Sequence, residues 1–119
     1  MQIAGGPEAA ARARRAITGL RADLEPPLRE TLRLLVTELV ANSVRHAHAD
    51  AVTLKVDVGP RAVRTEVIDP GPGFDPSGTG SPGDDHSGWG LFLVEQLAQR
   101  WGVARAGSAT SVWFELSRT

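Results

Sequence analysis

Residues 26–47 read PPLRETLRLLVTELVANSVRHA, and this stretch decides the fold. Leu28, Leu32, Leu35, Val36, Leu39, Ser43 and Ala47 recur at three- and four-residue steps, the spacing of one continuous buried stripe along a helix. Glu25-Pro26-Pro27 opens it, because proline in a first turn gives up an N–H that has no helical partner there. Glu38, Asn42 and His46 fall four apart on this helix. Each such step advances only about 40° round the axis, so the three form a ridge bordering the apolar stripe. A carboxylate, an amide and an imidazole at the rim of a core need partners, from neighbouring backbone or from a ligand.

On the N-terminal side, about Pro7 to Leu20 is helix-prone, with Ala10, Ala13, Ile17 and Leu20 at helical spacing. Arg12, Arg14, Arg15 and Arg21 bias this first helix positive, which reads as a solvated face. On the C-terminal side, Val52 to Val58 alternates apolar and polar, Gly59-Pro60 turns the chain, and Ala62 to Asp69 alternates again. The two runs predict a hairpin. From Pro70 to Gly90 the chain spends seven of its thirteen Gly and four of its eight Pro, which predicts a long loop. Helical periodicity returns from Leu91 to Arg100, then a short strand near Val103 and a final strand over Ser111–Ser117 with Val112, Phe114 and Leu116 on one face. The pattern predicts an α+β fold: a two-layer sandwich with a mixed, mostly antiparallel sheet and helices on one face.

The 119 residues suit one domain, 1–119. Hydrophobic residues at 41% and charged residues at 23% are ordinary for a soluble globular chain. Cysteine is absent, so disulfides and thiolate metal sites are excluded. No apolar stretch approaches the roughly 20 residues that span a bilayer, and the N-terminus has no signal-peptide pattern, so a cytoplasmic protein without a membrane partner is expected. Net charge is -1, and the thirteen basic residues, all Arg except Lys55, are scattered among acidic ones. That disfavours direct nucleic-acid binding, which usually shows a basic face.

Two further motifs carry chemistry. Asp69-Pro70-Gly71-Pro72-Gly73-Phe74 sits where a strand ends and the loop begins. A carboxylate there can accept a hydrogen bond from an exocyclic amine, and glycines let a flat ring approach the backbone; alone, the same residues make a plain turn. Gly88-Trp89-Gly90-Leu91 precedes a helix, where backbone N–H groups and the helix dipole favour an anion.

Taken in order, Glu38-x3-Asn42-x3-His46, a hairpin, Asp69-x-Gly71-x-Gly73, a loop and Gly88-x-Gly90-Leu91 resemble the GHKL nucleotide-binding superfamily of gyrase-type ATPases, Hsp90-type chaperones and histidine kinases. Within it the chain looks most like bacterial anti-sigma factor serine kinases. The closing stretches Arg100-Trp101-Gly102-Val103 and Thr110-Ser111-Val112-Trp113-Phe114-Glu115-Leu116 look like their stand-alone actinobacterial relatives. The resemblance implies Mg-ATP as cofactor, with Glu38 as general base, Asn42 on Mg, Asp69 on the adenine amine, and His46 and Leu91 beside the nucleotide. It also implies that Gly71, Gly73, Gly88 and Gly90 are close-approach points, with about 70–90 as an ATP lid. The implied partners are a sigma factor and an anti-sigma antagonist carrying the target serine.

The chain departs from that pattern in two places. Relatives carry a basic residue near the terminal phosphate, whereas Pro70 to Gly90 holds no Lys or Arg and includes Asp75, Asp84 and Asp85. Phosphoryl transfer depends on neutralising the transferred oxygens, so a nucleotide-gated binding module with feeble catalysis is the main rival. Met1 to Gly6 reads as too short and glycine-rich for the N-terminal strand of relatives, which leaves a homodimer through that region in doubt. A remote rival is a metal-dependent hydrolase, since His46-Ala47-His48-Ala49-Asp50 imitates a His-x-His-x-Asp ligand run, but His86 is the only other imidazole. A histidine kinase catalytic fragment ranks third, because no phosphoacceptor helix pair fits in this length.

Overall fold

The computed structural model of the protein describes residues 1–20, 23–47, 51–69, 89–106 and 109–118. Along the chain run β1 (Gln2–Ala4), α1 (Ala9–Thr18), α2 (Pro26–Ala47), β2 (Ala51–Val58), β3 (Ala62–Asp69), α3 (Trp89–Leu97), β4 (Arg100–Ala106) and β5 (Ala109–Ser117). The strands form one five-stranded sheet in the order β1-β2-β3-β5-β4. Every neighbouring pair is antiparallel, the limiting case of the mostly antiparallel sheet expected.

The alternation read from the sequence is the alternation that buries. Val63, Thr65, Val67 and Asp69 of β3 and Thr110, Val112, Phe114 and Leu116 of β5 all point into the core, with Val52 and Leu54 of β2 beside them. The helix α2 lies over β2, β3 and β5. It supplies Leu32, Leu35, Val36, Leu39 and Val40, each at most 1% exposed, so the predicted stripe is the seam of the molecule.

The helix α1 packs on α2 through Ala9, Ala13 and Ile17, a strict four-residue stripe in which Ala9 stands in place of the expected Ala10. Leu20 lies beyond the helix end and is half-buried against the core. The C-terminal end of α1 and the residues just past it are met by α2: Arg29 Nη1 donates to Ile17 O at 2.8 Å and to Leu20 O at 3.2 Å. That satisfies acceptors that a helix C-terminus leaves open and ties the two helices together.

Within Met1–Gly6, Gln2–Ala4 does form the strand that the brevity of this stretch argued against. Met1 N donates to Leu54 O at 2.7 Å and Leu54 N to Met1 O at 2.8 Å, while Ile3 is 3% exposed. An edge strand needs hydrogen bonds on one side only, so a few residues with one apolar anchor suffice.

The helix α3 stops at Leu97, short of the expected Arg100. Gln99 N donates to Glu115 O at 2.9 Å, which draws the chain onto β5, and Arg100 is already in register with Glu115. The β4 strand is accordingly longer than the short run near Val103 that the sequence suggested.

The sheet's other face is polar and ordered across strands. Asp57 opposes Arg64, Arg64 opposes Glu115 and Glu115 opposes Arg100, a row of alternating charge over β2, β3, β5 and β4. Arg64 Nη1 lies 3.1 Å from Glu115 Oε2, and its guanidinium stacks 4.2 Å from the Trp113 ring centre. Trp113 in turn lies over Gly102: a Cβ there would come 2.7 Å from Trp113 Nε1, so the absence of a side chain makes the space.

Candidate nucleotide site

The sheet register gathers the candidate residues at one end of the molecule. Ala47 closes α2 and Ala51 opens β2, so the last turns of α2 stand near the start of β2. Thr53 pairs with Ile68, which brings Asp69 at the end of β3 to the same end. Asp69 pairs with Thr110 at the start of β5, and Thr110 with Arg105 near the end of β4. Two residues separate the end of helix α3 from the start of β4 at the far end of the sheet, so Trp89–Leu91 is the part of the helix most distant from that far end.

Asn42 is 1% exposed, and its Nδ2 is buried with no hydrogen-bond partner among the described residues. Asp69 is 3% exposed at the inner end of β3. Thr110, which sequence reasoning does not mark as a site residue, is 2% exposed, and its Oγ1 has no partner among the described residues. Its signal was available: a threonine two residues before Val112, on the parity of an otherwise apolar inward row. An unsatisfied buried polar group costs about 1–3 kcal/mol, so such groups call for an explanation. Two of them near a buried carboxylate suit a polar ligand that supplies the missing partners.

Glu38 is half-buried one turn before Asn42. Leu91 is half-buried against the core. Gly90 lies inside the first turn of α3, not ahead of the helix, where its N–H has no acceptor within the helix. Gly71, Gly73 and Gly88 lie outside the described residues, as do the loop 70–88 and the side chain of His46. The His48 and Asp50 of the hydrolase motif also lie outside them. Among the described residues no group of three or more His, Cys, Asp or Glu is arranged to hold a metal ion. A single amide oxygen at Asn42 still fits magnesium, a hard cation that keeps waters and leans on substrate phosphates.

A family model described as the histidine kinase-like ATPase domain matches residues 3–116. The chain belongs to this family. The superfamily resemblance drawn from the motifs therefore holds for almost the whole length of this ATPase-like domain. Its fold is similar to the blue-light activated histidine kinase of Erythrobacter litoralis EL346, at 22% identity and TM-score 0.66, over 91% of this chain and 40% of that one. A histidine kinase domain structure from the same kinase gives 25% identity and TM-score 0.63, over 92% and 59%. The Acinetobacter baumannii histidine kinase AdeS gives 19% identity and TM-score 0.55, over 76% and 47%. The ATPase-like domain thus spans between 40% and 59% of these three chains. No curated protein matches it. Among its described residues no helix is long and apolar enough to cross a membrane.

Proposed function

We propose that this protein binds Mg-ATP and acts as a regulatory kinase of the anti-sigma type, transferring a phosphoryl group to a serine of an anti-sigma antagonist. The observation that carries the nucleotide reading is a pair of buried groups without a partner among the described residues, Asn42 Nδ2 and Thr110 Oγ1, at the Asp69 end of the sheet in a chain of the histidine kinase-like ATPase family. Asp69 accepts from the adenine amine, and Thr110 completes the polar contacts of the base. Asn42 holds the metal through its side-chain oxygen; bound there, magnesium supplies charge neutralisation for the phosphates. Glu38, on the ridge one turn away, accepts the proton of the attacking hydroxyl. The sigma factor and antagonist as partners and a homodimer belong to this proposal and rest on the motif resemblance; a cytoplasmic setting belongs to it as well.

A second reading has its own observation. Residues 70–90 contain no Lys or Arg, so a module that binds ATP and presents a surface to its partner without efficient transfer is the alternative. Titration of ATP with and without Mg, followed by incubation with labelled ATP and candidate antagonist proteins, separates the two. Phosphoserine on the partner supports the kinase, tight ATP binding without transfer supports the module, and absence of ATP binding defeats both.

A further inference from the structure

The helix-facing side of the sheet is apolar along most of its length. Among its described residues only two are charged, Asp69 on β3 and Arg105 on β4, and they stand at the same end. Asp69 is in register with Thr110 and Thr110 with Arg105, so the three occupy one row across three strands. Directly opposed residues of antiparallel strands share a face, and Thr110 is buried against the helices, which assigns Arg105 to that face. Two strand spacings separate the backbones of Asp69 and Arg105 by about 10 Å. Arg105 is exposed, on the outermost strand.

Resting on the ATP reading above, we infer that Arg105 binds a phosphate of the nucleotide whose base is held at Asp69 and Thr110. A buried carboxylate at Asp69 selects a hydrogen-bond donor such as the adenine amine and repels the anionic end of the same molecule. The phosphates are therefore accommodated away from it, where a guanidinium can pair with them through two parallel N–H donors. This residue also answers the absence of Lys and Arg from residues 70–90, because register across the sheet brings an arginine to the site from a part of the chain outside that stretch. The competing role is structural: a charged residue on an edge strand discourages pairing with other chains.

Affinity for ATP, ADP and adenosine, measured by calorimetry on the full chain and on its Arg105→Ala and Arg105→Lys variants, tests this. The expected result is a loss of about tenfold for ATP in Arg105→Ala with adenosine unchanged, and partial recovery in Arg105→Lys. Equal losses for ATP and adenosine, or unchanged ATP affinity, overturn the assignment and leave the nucleotide reading standing. A parent chain that binds no ATP overturns both. Thermal unfolding accompanies each titration, and Arg105→Gln replaces Arg105→Ala under the same criterion if the alanine variant does not fold.

Discussion

Asp69 and Thr110 are Cα partners across the β3–β5 ladder, and both are almost fully buried, at 3% and 2% exposure. A carboxylate and an unpartnered hydroxyl side by side at the end of an apolar row suit the edge of a base better than they suit a core. Thr110→Val is expected to leave thermal stability unchanged or raise it by up to about 1 kcal/mol, since the hydroxyl has no partner among the described residues to lose. The same variant should bind ATP several-fold more weakly. Asp69→Asn should weaken ATP binding by more than about tenfold, or 1.4 kcal/mol, because the amide presents a donor to the adenine amine. Calorimetric titration beside a thermal melt checks both; a Thr110→Val variant that melts earlier and binds ATP normally would show the hydroxyl to be structural.

Asn42→Ala is expected to abolish Mg-dependent nucleotide binding while the fold persists. The Asn42 Nδ2 group has no partner among the described residues, so truncation removes an unsatisfied donor together with a few side-chain atoms. Titrating ATP with and without Mg reads the effect, and a variant that binds Mg-ATP like its parent would remove Asn42 from the metal.

Glu38→Ala should keep ATP and lose transfer by at least about a hundredfold, the usual contribution of a positioned base. Single-turnover transfer to an antagonist protein is the measurement. Retained turnover would leave the base to be found elsewhere.

Thr65 lies four residues before Asp69 on the same inward row, at 0% exposure, and its Oγ1 has no partner among the described residues. It stands opposite Val56 and Phe114, well inside the sheet, where no nucleotide role is proposed. Thr65→Val keeps the shape and removes a buried hydroxyl, so it should stabilise the protein by about 1 kcal/mol without changing ATP affinity. Chemical denaturation of the two proteins decides; a clear loss of stability would mean that the hydroxyl has a partner in solution.

Gly102→Ala should destabilise by about 1–3 kcal/mol through overpacking. The added methyl would meet the Trp113 indole at 2.7 Å, and that ring is held from elsewhere by the Arg64 guanidinium. Denaturant titration gives the energy, and near-ultraviolet circular dichroism shows whether an aromatic side chain has moved. An unchanged midpoint would mean that the indole shifts at little cost.

The elements were legible wherever their periods were clean. The α2 helix begins at Pro26 and ends at Ala47 as its stripe and prolines predict, and β3 spans Ala62–Asp69 as its alternation predicts. The misplacements share one cause. Ala9 replaces Ala10 in the α1 seam because the packing of α1 on α2 selects among alanines that composition cannot tell apart. The α3 helix ends at Leu97 because Gln99 is captured by Glu115, a partner sixteen residues away. The β1 strand exists because Leu54 supplies both a donor and an acceptor to Met1.

The same division holds for the site. By itself the sequence determined the ridge of Glu38 and Asn42, the position of Asp69 at a strand end and the membership of nearly the whole chain in one ATPase family, because periodicity, turn chemistry and motif spacing are written locally. Only the tertiary structure decided that Thr110 faces Asp69 and that Arg105 completes their row. Strand register is set by hydrogen bonds between segments remote in sequence and by burial on the shared face, and neither is visible from any one segment.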